Sequence, residues 1–429
     1  MRFAYQLLVY LATPFVFLFW FWRGFTRKGY HDRLGQRFGI GFPDIRSGSI
    51  WIHAVSVGEV QAAAPLVKAL KERFGSLVVV VTTVTPTGAE RVRRLFGDEV
   101  VHCFAPFETP GAVRRFFDRI RPRLAVIIET ELWPNLYAEC GRRRVPLVLA
   151  SARISPRSVA RYQHLTPLFR EALSHGIIIA AQSEQDAQRF RDLGAAPART
   201  FVTGNIKFDV EIDEGLAARG REFAARHFPD RRVWIAASTH AGEEEIALAA
   251  HHRLLESVPD ALLVVVPRHP ERFPAVAGLI EEQGLDYARR TGGEPCSQET
   301  RVFLGDTMGE LPLFYAASDI AFVAGSLVPI GGHNLLEPAS LGLPILTGPH
   351  LFNAEDIAQM FAERRASQVV TDAGELAAAL ERLFADEAER REMGERARRL
   401  LLENRGSLRS LLELVEPLTR RFATPAGKS

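Results

Sequence analysis

The sequence predicts an α/β protein with two doubly wound domains behind an apolar N-terminal helix. Short β-branched runs alternate with helical stretches, and this pattern stops near residue 210 and then starts again. Continuous apolar strands separated by helices are typical of parallel sheets that are covered on both faces. A chain of 429 residues is also long enough for two domains. We therefore expect an anchor at 1–22, a first domain at 23–210, and a second domain at 211–429 that includes the terminal helix.

The first 22 residues predict a membrane anchor. From Phe3 to Trp22 the chain carries no charge, and about 20 apolar residues are enough to cross a bilayer as a helix. Arg23, Arg27 and Lys28 follow, which by the positive-inside rule places the bulk of the protein in the cytoplasm. A cleaved signal peptide is the alternative, but the run is long and aromatic and no small-x-small motif follows it. We expect an uncleaved anchor that either spans the membrane or is inserted from one side.

Charge and cysteine content exclude some classes of protein. Residues 1–210 carry 29 Lys and Arg against 17 Asp and Glu, a net charge of +12, whereas 211–429 carry 24 against 34, a net charge of −10. A basic first half indicates an anionic surface or substrate, and without a recognised motif nucleic acid is not favoured. The three cysteines, Cys103, Cys140 and Cys296, are widely scattered. They argue against a disulfide framework or a zinc knuckle and suit a reducing compartment.

In the first domain, six apolar runs predict strands at 49–55, 77–83, 100–103, 124–129, 146–151 and 176–182. Glu59 of SVGEV comes in the first turn of the helix after the first strand. A carboxylate there either favours the helix dipole or acts as a general base on a hydroxyl. Glu129 and Glu131 of ETELWPN follow another strand; they mark a helix start or a metal pair that lacks an obvious third ligand. Lys207 of GNIKFD lies at the domain break, as an exposed linker residue or a phosphate ligand.

The second domain repeats the pattern, with strands predicted at 233–239, 261–267, 301–306, 319–326, 343–348 and 368–370. Polar turns follow successive strands, and ligands of doubly wound domains bind at the carboxyl ends of strands, here in a cleft between the two domains. In PRHPERF, Arg268 and His269 follow one strand, and arginine is a natural phosphate partner. In GDTMGEL, Met308, Gly309 and Glu310 follow another strand and offer free backbone N–H groups.

The stretch SLVPIGGHNLLEPA follows a further strand and predicts a nucleotide site. Gly331 and Gly332 allow close approach of the backbone, and a helix predicted to begin near Asn334 can hold an anion at its N-terminus. Glu337, one turn further on, could accept hydrogen bonds from a ribose diol. The chain has neither the G-x-G-x-x-G motif nor the G-x-x-x-x-G-K-[ST] motif. A dinucleotide enzyme and a P-loop NTPase are therefore not favoured.

Seven motifs together resemble one family: WIHAVSVGEVQAA, ETELWPN, SARIS, GNIKFD, PRHPER, GDTMGEL and SLVPIGGHNLLEPA. The chain resembles the Kdo transferases of Gram-negative bacteria over nearly its whole length. Those enzymes move 3-deoxy-D-manno-oct-2-ulosonic acid (Kdo) from CMP-Kdo to lipid IVA, a lipid A precursor, in lipopolysaccharide synthesis. The resemblance implies a GT-B fold with the acceptor on the N-terminal domain and CMP-Kdo on the C-terminal domain. It also implies anchoring at the cytoplasmic face of the inner membrane, in contact with its lipid.

The resemblance implies roles for twelve residues. Glu59 corresponds to the catalytic base, and Glu129 and Lys207 correspond to transition-state stabilisers. The expected CMP contacts are Arg268, His269, Met308, Gly309, Glu310, Asn334, Leu335, Leu336 and Glu337. The family is inverting, is independent of metals and uses no cofactor.

Two alternatives stay open at this point. Another GT-B enzyme, a glycosyltransferase or an epimerase, would share the sheets and the glycine-rich turn but use a UDP-sugar. A non-catalytic, membrane-associated nucleotide-binding protein would tolerate the loss of Glu59. The number of Kdo residues transferred does not follow from the motifs.

Overall fold

The computed structural model describes residues 2–26, 29–75, 77–129, 131–155, 158–159, 166–173, 176–210 and 213–419. The chain forms two compact units. The first unit contains the chain up to Asp209 together with the stretch from Asn404 to the last described residue, Thr419, and the second unit is Val210–Glu403.

A seven-stranded parallel sheet forms the centre of the first unit, in the order β3-β2-β1-β4-β5-β6-β7. Its strands are β1 (Ser49–His53), β2 (Val78–Thr83), β3 (Val101–Phe104), β4 (Pro122–Ile128), β5 (Leu147–Ala152), β6 (Ile178–Ala181) and β7 (Thr200–Val202). Trp51 faces one apolar core while Ile50 and Ile52 face another. Because both faces are covered, the strands are apolar throughout rather than alternating.

Helices cover both faces of this sheet. They are α1 (Arg2–Thr26), α2 (Leu34–Arg37), α3 (Val57–Arg73), α4 (Pro86–Phe96), α5 (Pro110–Ile120), α6 (Pro134–Arg143), α7 (Thr166–Leu173) and α8 (Glu184–Asp192), with a short 3₁₀ turn at Ile206–Phe208. Ser56, Thr85 and Thr109 cap the N-termini of α3, α4 and α5 by accepting a backbone N–H. Such caps end each preceding loop at a defined residue.

The second unit repeats the architecture with strand order β10-β11-β9-β8-β12-β13-β14, all parallel. The strands are β8 (Arg232–Thr239), β9 (Ala261–Pro267), β10 (Tyr287–Arg289), β11 (Val302–Leu304), β12 (Ile320–Val323), β13 (Ile345–Thr347) and β14 (Ser367–Val369). The helices are α9 (Leu216–His227), α10 (Glu243–Ser257), α11 (Phe273–Glu282), α12 (Leu311–Ala316), α13 (Leu336–Ser340), α14 (Glu355–Glu363), α15 (Ala373–Ala385) and α16 (Glu387–Glu403). These two sheets confirm the predicted doubly wound fold class.

The last helix, α17 (Ser407–Thr419), belongs to the first unit. Leu411, Leu412 and Val415 are buried in the same core as Ile50 and Ile52. The Asp209 carboxylate accepts the backbone N–H groups of Gly406 and Leu408, each at 2.7 Å. The assignment of the terminal helix to the second domain is therefore wrong. A break at Gly406, whose φ is 97°, separates α16 from α17.

Candidate active site

Glu59 lies in the first turn of α3, directly beyond the carboxyl end of β1. Ser56 is the N-cap residue, and its hydroxyl accepts the Glu59 N–H at 3.3 Å. In return, the half-buried Glu59 carboxylate accepts the Val55 N–H at 2.5 Å and the Ser56 hydroxyl at 3.3 Å. This reciprocal arrangement resembles a capping box, so Glu59 has a structural role at the start of α3.

The same carboxyl group has a strongly shifted pKa. Burial, followed by the nearby carboxylates of Glu129 and Glu131, raises the pKa of Glu59, and the Val55 N–H lowers it; the net result is a pKa of about 8. A carboxylate with a pKa near the working pH is a better proton acceptor than an ordinary glutamate. Glu59 is therefore suited to a second role besides capping α3, because a capping carboxylate does not need a raised pKa.

Glu129 and Lys207 form a direct ion pair at the same edge of the sheet. The Lys207 Nζ lies 2.7 Å from Glu129 Oε1, and the two side chains are 18% and 19% exposed. Glu129 follows β4 with a φ of 59°, a left-handed conformation that costs a non-glycine residue about 1–2 kcal/mol. Such backbone strain persists where the surroundings hold it, and it is concentrated at functional sites.

The turn that carries Lys207 is held on several sides. The side chain of Asn205 accepts the Lys207 N–H at 3.0 Å, and the Ser151 hydroxyl at the end of β5 accepts the Ile206 N–H at 3.0 Å. Asp209, two residues further along, binds the start of α17. Lys207 is therefore a fixed, mostly buried cation and not an exposed linker residue.

Glu131 has its own partners and is not paired with a cation in the described structure. Its carboxylate accepts the Trp133 indole N–H at 2.6 Å, and its carbonyl accepts the Tyr137 hydroxyl at 2.5 Å. Burial raises the pKa of Glu131. Among the residues that the structure describes, no group of three or more His, Cys, Asp or Glu side chains is arranged to hold a metal ion.

In the second unit, three histidines meet at the carboxyl ends of neighbouring strands. His240 and His333 are stacked with an interplanar angle of 7°, and their Nε2 atoms are 2.9 Å apart. The His269 ring lies 5.5 Å from that of His240. Burial, together with His240, Arg268 and His269, lowers the pKa of His333 to about 3. Arg268 and His269 thus lie close to the turn that carries His333. This proximity is necessary if the two turns are to bind one nucleotide.

Glu337 and Asn334 also reach this cluster. The Asn334 amide donates to Glu337 Oε1 at 3.1 Å, and its carbonyl oxygen accepts the Leu336 N–H at 3.1 Å. Burial raises the pKa of Glu337, with Asn334 and Arg268 acting in the opposite direction. The helix begins at Leu336, two residues beyond Asn334, and has only five residues, so a long helix dipole is absent there. Leu335 and Leu336 are each only 2% exposed as whole residues, so little of their surface is accessible for the predicted ligand contacts.

Met308, Gly309 and Glu310 lie on a separate turn of this unit, before α12. Glu310 accepts a bidentate ion pair from Arg290, with the closest contact at 2.8 Å, and the Thr307 hydroxyl at 2.5 Å. Met308 is 59% exposed. The described contacts do not join Glu310 to the histidine cluster, so its predicted ligand contact depends on the exposed backbone of this turn.

Glu243 is a buried residue that supports the candidate site and that the sequence analysis missed. Its side chain is fully buried. It accepts the backbone N–H groups of Gly325, Ser326 and Leu327 at 2.7, 2.9 and 2.9 Å, and that of His240 at 3.2 Å. One carboxylate thereby fixes two of the turns that form the histidine cluster. The acidic run EEE at a predicted helix start was the available signal.

Two parallel seven-stranded units with polar side chains at the carboxyl edges define the GT-B class of nucleotide-sugar enzymes. Solved structures agree with this fold: UDP-GlcNAc 2-epimerase from Neisseria meningitidis is similar with a TM-score of 0.54 and 13% identity, covering 86% of this chain and 100% of that chain. A UDP-N-acetylglucosamine 2-epimerase from Listeria monocytogenes gives a TM-score of 0.52 at 15% identity, covering 88% of this chain and 97% of that chain.

The family within this class follows from sequence comparison. Residues 32–210 match the family described as 3-deoxy-D-manno-octulosonic-acid transferase, and residues 230–400 match glycosyl transferases group 1. A 3-deoxy-D-manno-octulosonic acid transferase of Haemophilus influenzae is 40% identical over 98% of this chain and 99% of its own length. One from Bordetella pertussis is 38% identical over 97% and 99%. The chain belongs to the 3-deoxy-D-manno-octulosonic acid (Kdo) transferase family of glycosyltransferases.

Proposed function

We propose that this Kdo transferase moves Kdo from CMP-Kdo to lipid IVA at the cytoplasmic face of the inner membrane, with Glu59 as the base. The observation that carries the proposal is the raised pKa of Glu59, about 8, beside a buried Glu129–Lys207 ion pair. Such a carboxylate can take a proton from a sugar hydroxyl near neutral pH. The family membership supplies the class of donor and acceptor.

The proposed step is a single displacement with inversion. As Glu59 takes the proton of the acceptor hydroxyl, that oxygen forms a bond to the anomeric carbon of Kdo. The bond between this carbon and the phosphate oxygen breaks, and CMP leaves with the electron pair. Lys207, held by Glu129, stabilises the negative charge that develops in this step, as fixed buried cations do.

The histidine cluster and its neighbours are proposed to hold CMP. Arg268 is suited to the phosphate, because a guanidinium matches phosphate geometry with two donors. The Glu337 carboxylate is suited to the ribose hydroxyls, and Asn334 orients it through a 3.1 Å hydrogen bond. The turn at Met308–Glu310 offers backbone N–H groups to the base.

An amphiphilic acceptor also needs an enzyme at the membrane. Among the described residues, α1 is the one helix long and apolar enough to cross a bilayer, with a mean hydropathy of 1.6 over Arg2–Phe25, a property that a signal sequence shares. The net charge of +12 over residues 1–210 suits a phosphorylated lipid and an anionic leaflet.

The test is transfer of Kdo to purified lipid IVA, with CMP-Kdo generated in situ and products identified by mass. We expect a product heavier by one or more Kdo residues, CMP release in equal amount, and competition by CMP but not by UDP. Transfer from a UDP-sugar, or no transfer with the acceptor present, would contradict the proposal.

A further inference from the structure

Helix α1 turns its polar side chains toward the first unit and its apolar side chains away from it. The less exposed positions follow a helical period: Arg2, Tyr5, Gln6, Val9, Thr13, Phe17, Trp20, Arg23 and Gly24. Twelve large hydrophobic side chains lie between them, at 40–80% exposure. They are Phe3, Leu7, Leu8, Tyr10, Leu11, Phe15, Val16, Leu18, Phe19, Phe21, Trp22 and Phe25. A helix on a water-facing surface has the opposite arrangement, so the outer face of α1 is suited to an apolar medium.

The first turns of α1 are tied to the body by polar contacts. The Tyr5 hydroxyl donates to Glu108 Oε2 at 3.2 Å, and the Gln6 amide donates to Asn135 Oδ1 at 3.1 Å. Glu108 and Asn135 are 8% and 4% exposed, and Glu108 also accepts the Asn135 and Leu136 N–H groups at the start of α6. Arg2 adds an ion pair to Glu171 at 3.3 Å. Undocking the helix would deprive the buried Asn135 Oδ1 of the Gln6 donor, whereas Glu108 would keep its bonds to α6.

The far end of α1 is packed on the same unit. The Phe17 ring lies 5.4 Å from that of Phe38, and the Arg37 guanidinium lies 4.7 Å from the centre of the Trp20 ring. Gln6 and Trp20 are about 21 Å apart along a helix that rises 1.5 Å per residue. In a spanning orientation, the first turns would lie across an apolar layer about 30 Å thick, away from Glu108 and Asn135. Contacts at both ends are therefore incompatible with a helix that crosses the membrane.

We propose that α1 lies in the plane of the membrane, embedded in one leaflet, with its outer face among the acyl chains of lipids. The net charge of +12 over residues 1–210 supports an anionic lipid surface rather than a second copy of the chain, which would carry the same charge. The exposed Arg115 of α5, which donates to the Phe38 carbonyl, lies beside Gly111, as does the Tyr10 hydroxyl of α1. Only the identity of the leaflet, the cytoplasmic one, rests on the proposed function.

The docked helix also links the membrane to the catalytic edge. Asn135, which receives Gln6, is part of the ETELWPN segment that begins at Glu129. An in-plane helix therefore places this segment beside the leaflet that holds a lipid acceptor. A spanning helix, attached only through its C-terminal end, would leave that position undefined.

Cross-linking in native membranes tests the orientation. The three native cysteines are buried, whereas the side chains of Arg2 and Glu171 are 43% and 41% exposed. Arg2→Cys with Glu171→Cys can therefore be joined selectively by a short bis-maleimide. We expect a link within one chain in membranes and in detergent. Leu8→Cys with Glu171→Cys is the control that should not link, because Leu8 is 64% exposed on the outer face.

Loss of the Arg2→Cys/Glu171→Cys link in membranes, with retention in detergent, would show a spanning helix and overturn the proposal. Flotation of the purified protein with phosphatidylglycerol vesicles is the second measurement, and binding should persist at high salt because it is mainly apolar. Failure to float, together with links between copies through Leu8→Cys, would show a dimer interface instead and also overturn it. None of these measurements needs transfer activity, so a failed transfer assay with an intact link would refute the proposed function alone.

Discussion

Lys207 and Glu129 lie 2.7 Å apart at the carboxyl edge of the first sheet, although 78 positions separate them in the chain. The pair affects Glu59 because the Glu129 carboxylate is one of the charges that raise the pKa of Glu59. Lys207 thus has two roles in the proposed mechanism. It supplies a fixed positive charge to the reaction, and it balances a carboxylate that would otherwise oppose ionisation of the base.

Replacing Lys207 by Met should reduce kcat and shift the pH profile. The loss of one preorganised electrostatic stabiliser typically costs about 10²–10³ in kcat. The unpaired Glu129 carboxylate should also push the pKa of Glu59 higher, so the rise of kcat/KM with pH moves to higher pH. Arg409→Met, which breaks the exposed Arg409–Glu413 pair on α17, is the control and should alter neither quantity. A Lys207→Met profile with the parent pKa would show that the ion pair does not act on Glu59.

The parent enzyme should lose activity in acid with a pKa near that of Glu59. The carboxyl group must be ionised to accept a proton, and burial raises its pKa to about 8. We therefore expect kcat/KM to rise about tenfold per pH unit below this value and to level off above it. The measurement is the initial rate of transfer between pH 5 and pH 9. A flat profile down to pH 6 would exclude Glu59 as the group that must be deprotonated.

Glu59→Gln separates the catalytic role from the capping role. Glutamine keeps an oxygen for the Val55 N–H but cannot accept a proton, and loss of a general base costs about 10²–10⁴ in rate. The pKa of Glu59 is raised from 4.5 to about 8 on folding, so its favourable contribution is present below pH 4.5 and is lost as the pH rises through 8. The variant has no such loss. The difference between the Tm of the variant and that of the parent should therefore increase from pH 5 to pH 8. A variant with a transfer rate within threefold of the parent would refute the assignment of Glu59 as the base.

The sequence predicted the sheets well because buried parallel strands are apolar on both faces. The runs at 49–55 and 77–83 correspond to β1 and β2. The strands β7 and β10 were missed because each is short and mostly exposed, so neither forms a buried apolar run in the sequence. The placement of α17 was missed for another reason: the cover of Leu411 and Val415 by the first sheet is a tertiary contact, which helical periodicity does not reveal.

The candidate site was predictable as a set of positions but not as a set of contacts. Two of the residues, Glu59 and Glu129, follow strands, and Lys207 lies at the domain break. Their positions along the chain were therefore enough to predict that they lie at one edge of the sheet. The raised pKa of Glu59 depends on burial and on two other carboxylates, and no local pattern contains that information. Glu243 shows the same limit: its four backbone donors come from two turns, three of them about 80 residues away in the chain.

Glu337→Ala should weaken CMP binding without unfolding the second unit. Loss of a hydrogen bond to a buried partner typically costs about 1–3 kcal/mol, or roughly five- to 150-fold in affinity. Titration calorimetry with CMP measures this directly. Glu281→Ala is the control, since the exposed Glu281 carboxylate accepts the Tyr287 hydroxyl at 2.7 Å. Unchanged CMP affinity in Glu337→Ala would remove this residue from the nucleotide site.

Glu243→Gln tests whether a buried carboxylate shapes the nucleotide site without touching the nucleotide. The carboxylate accepts four backbone N–H groups, whereas a glutamine offers one oxygen and turns an NH₂ group toward donors. An N–H group left without a partner in the interior costs about 1–3 kcal/mol, so we expect a lower Tm. The turn at 325–327 should also shift and carry His333 with it, because the His333 N–H donates to the Ala324 carbonyl at 3.2 Å. CMP affinity should therefore fall even at temperatures where the variant is fully folded.

Glu245→Gln is the matched control: it lies in the same turn of α10, is exposed, and accepts a single N–H from Gly242 at 2.9 Å. A Glu243→Gln protein that melts lower yet binds CMP as the parent does would limit Glu243 to stability and separate the histidine cluster from the donor site.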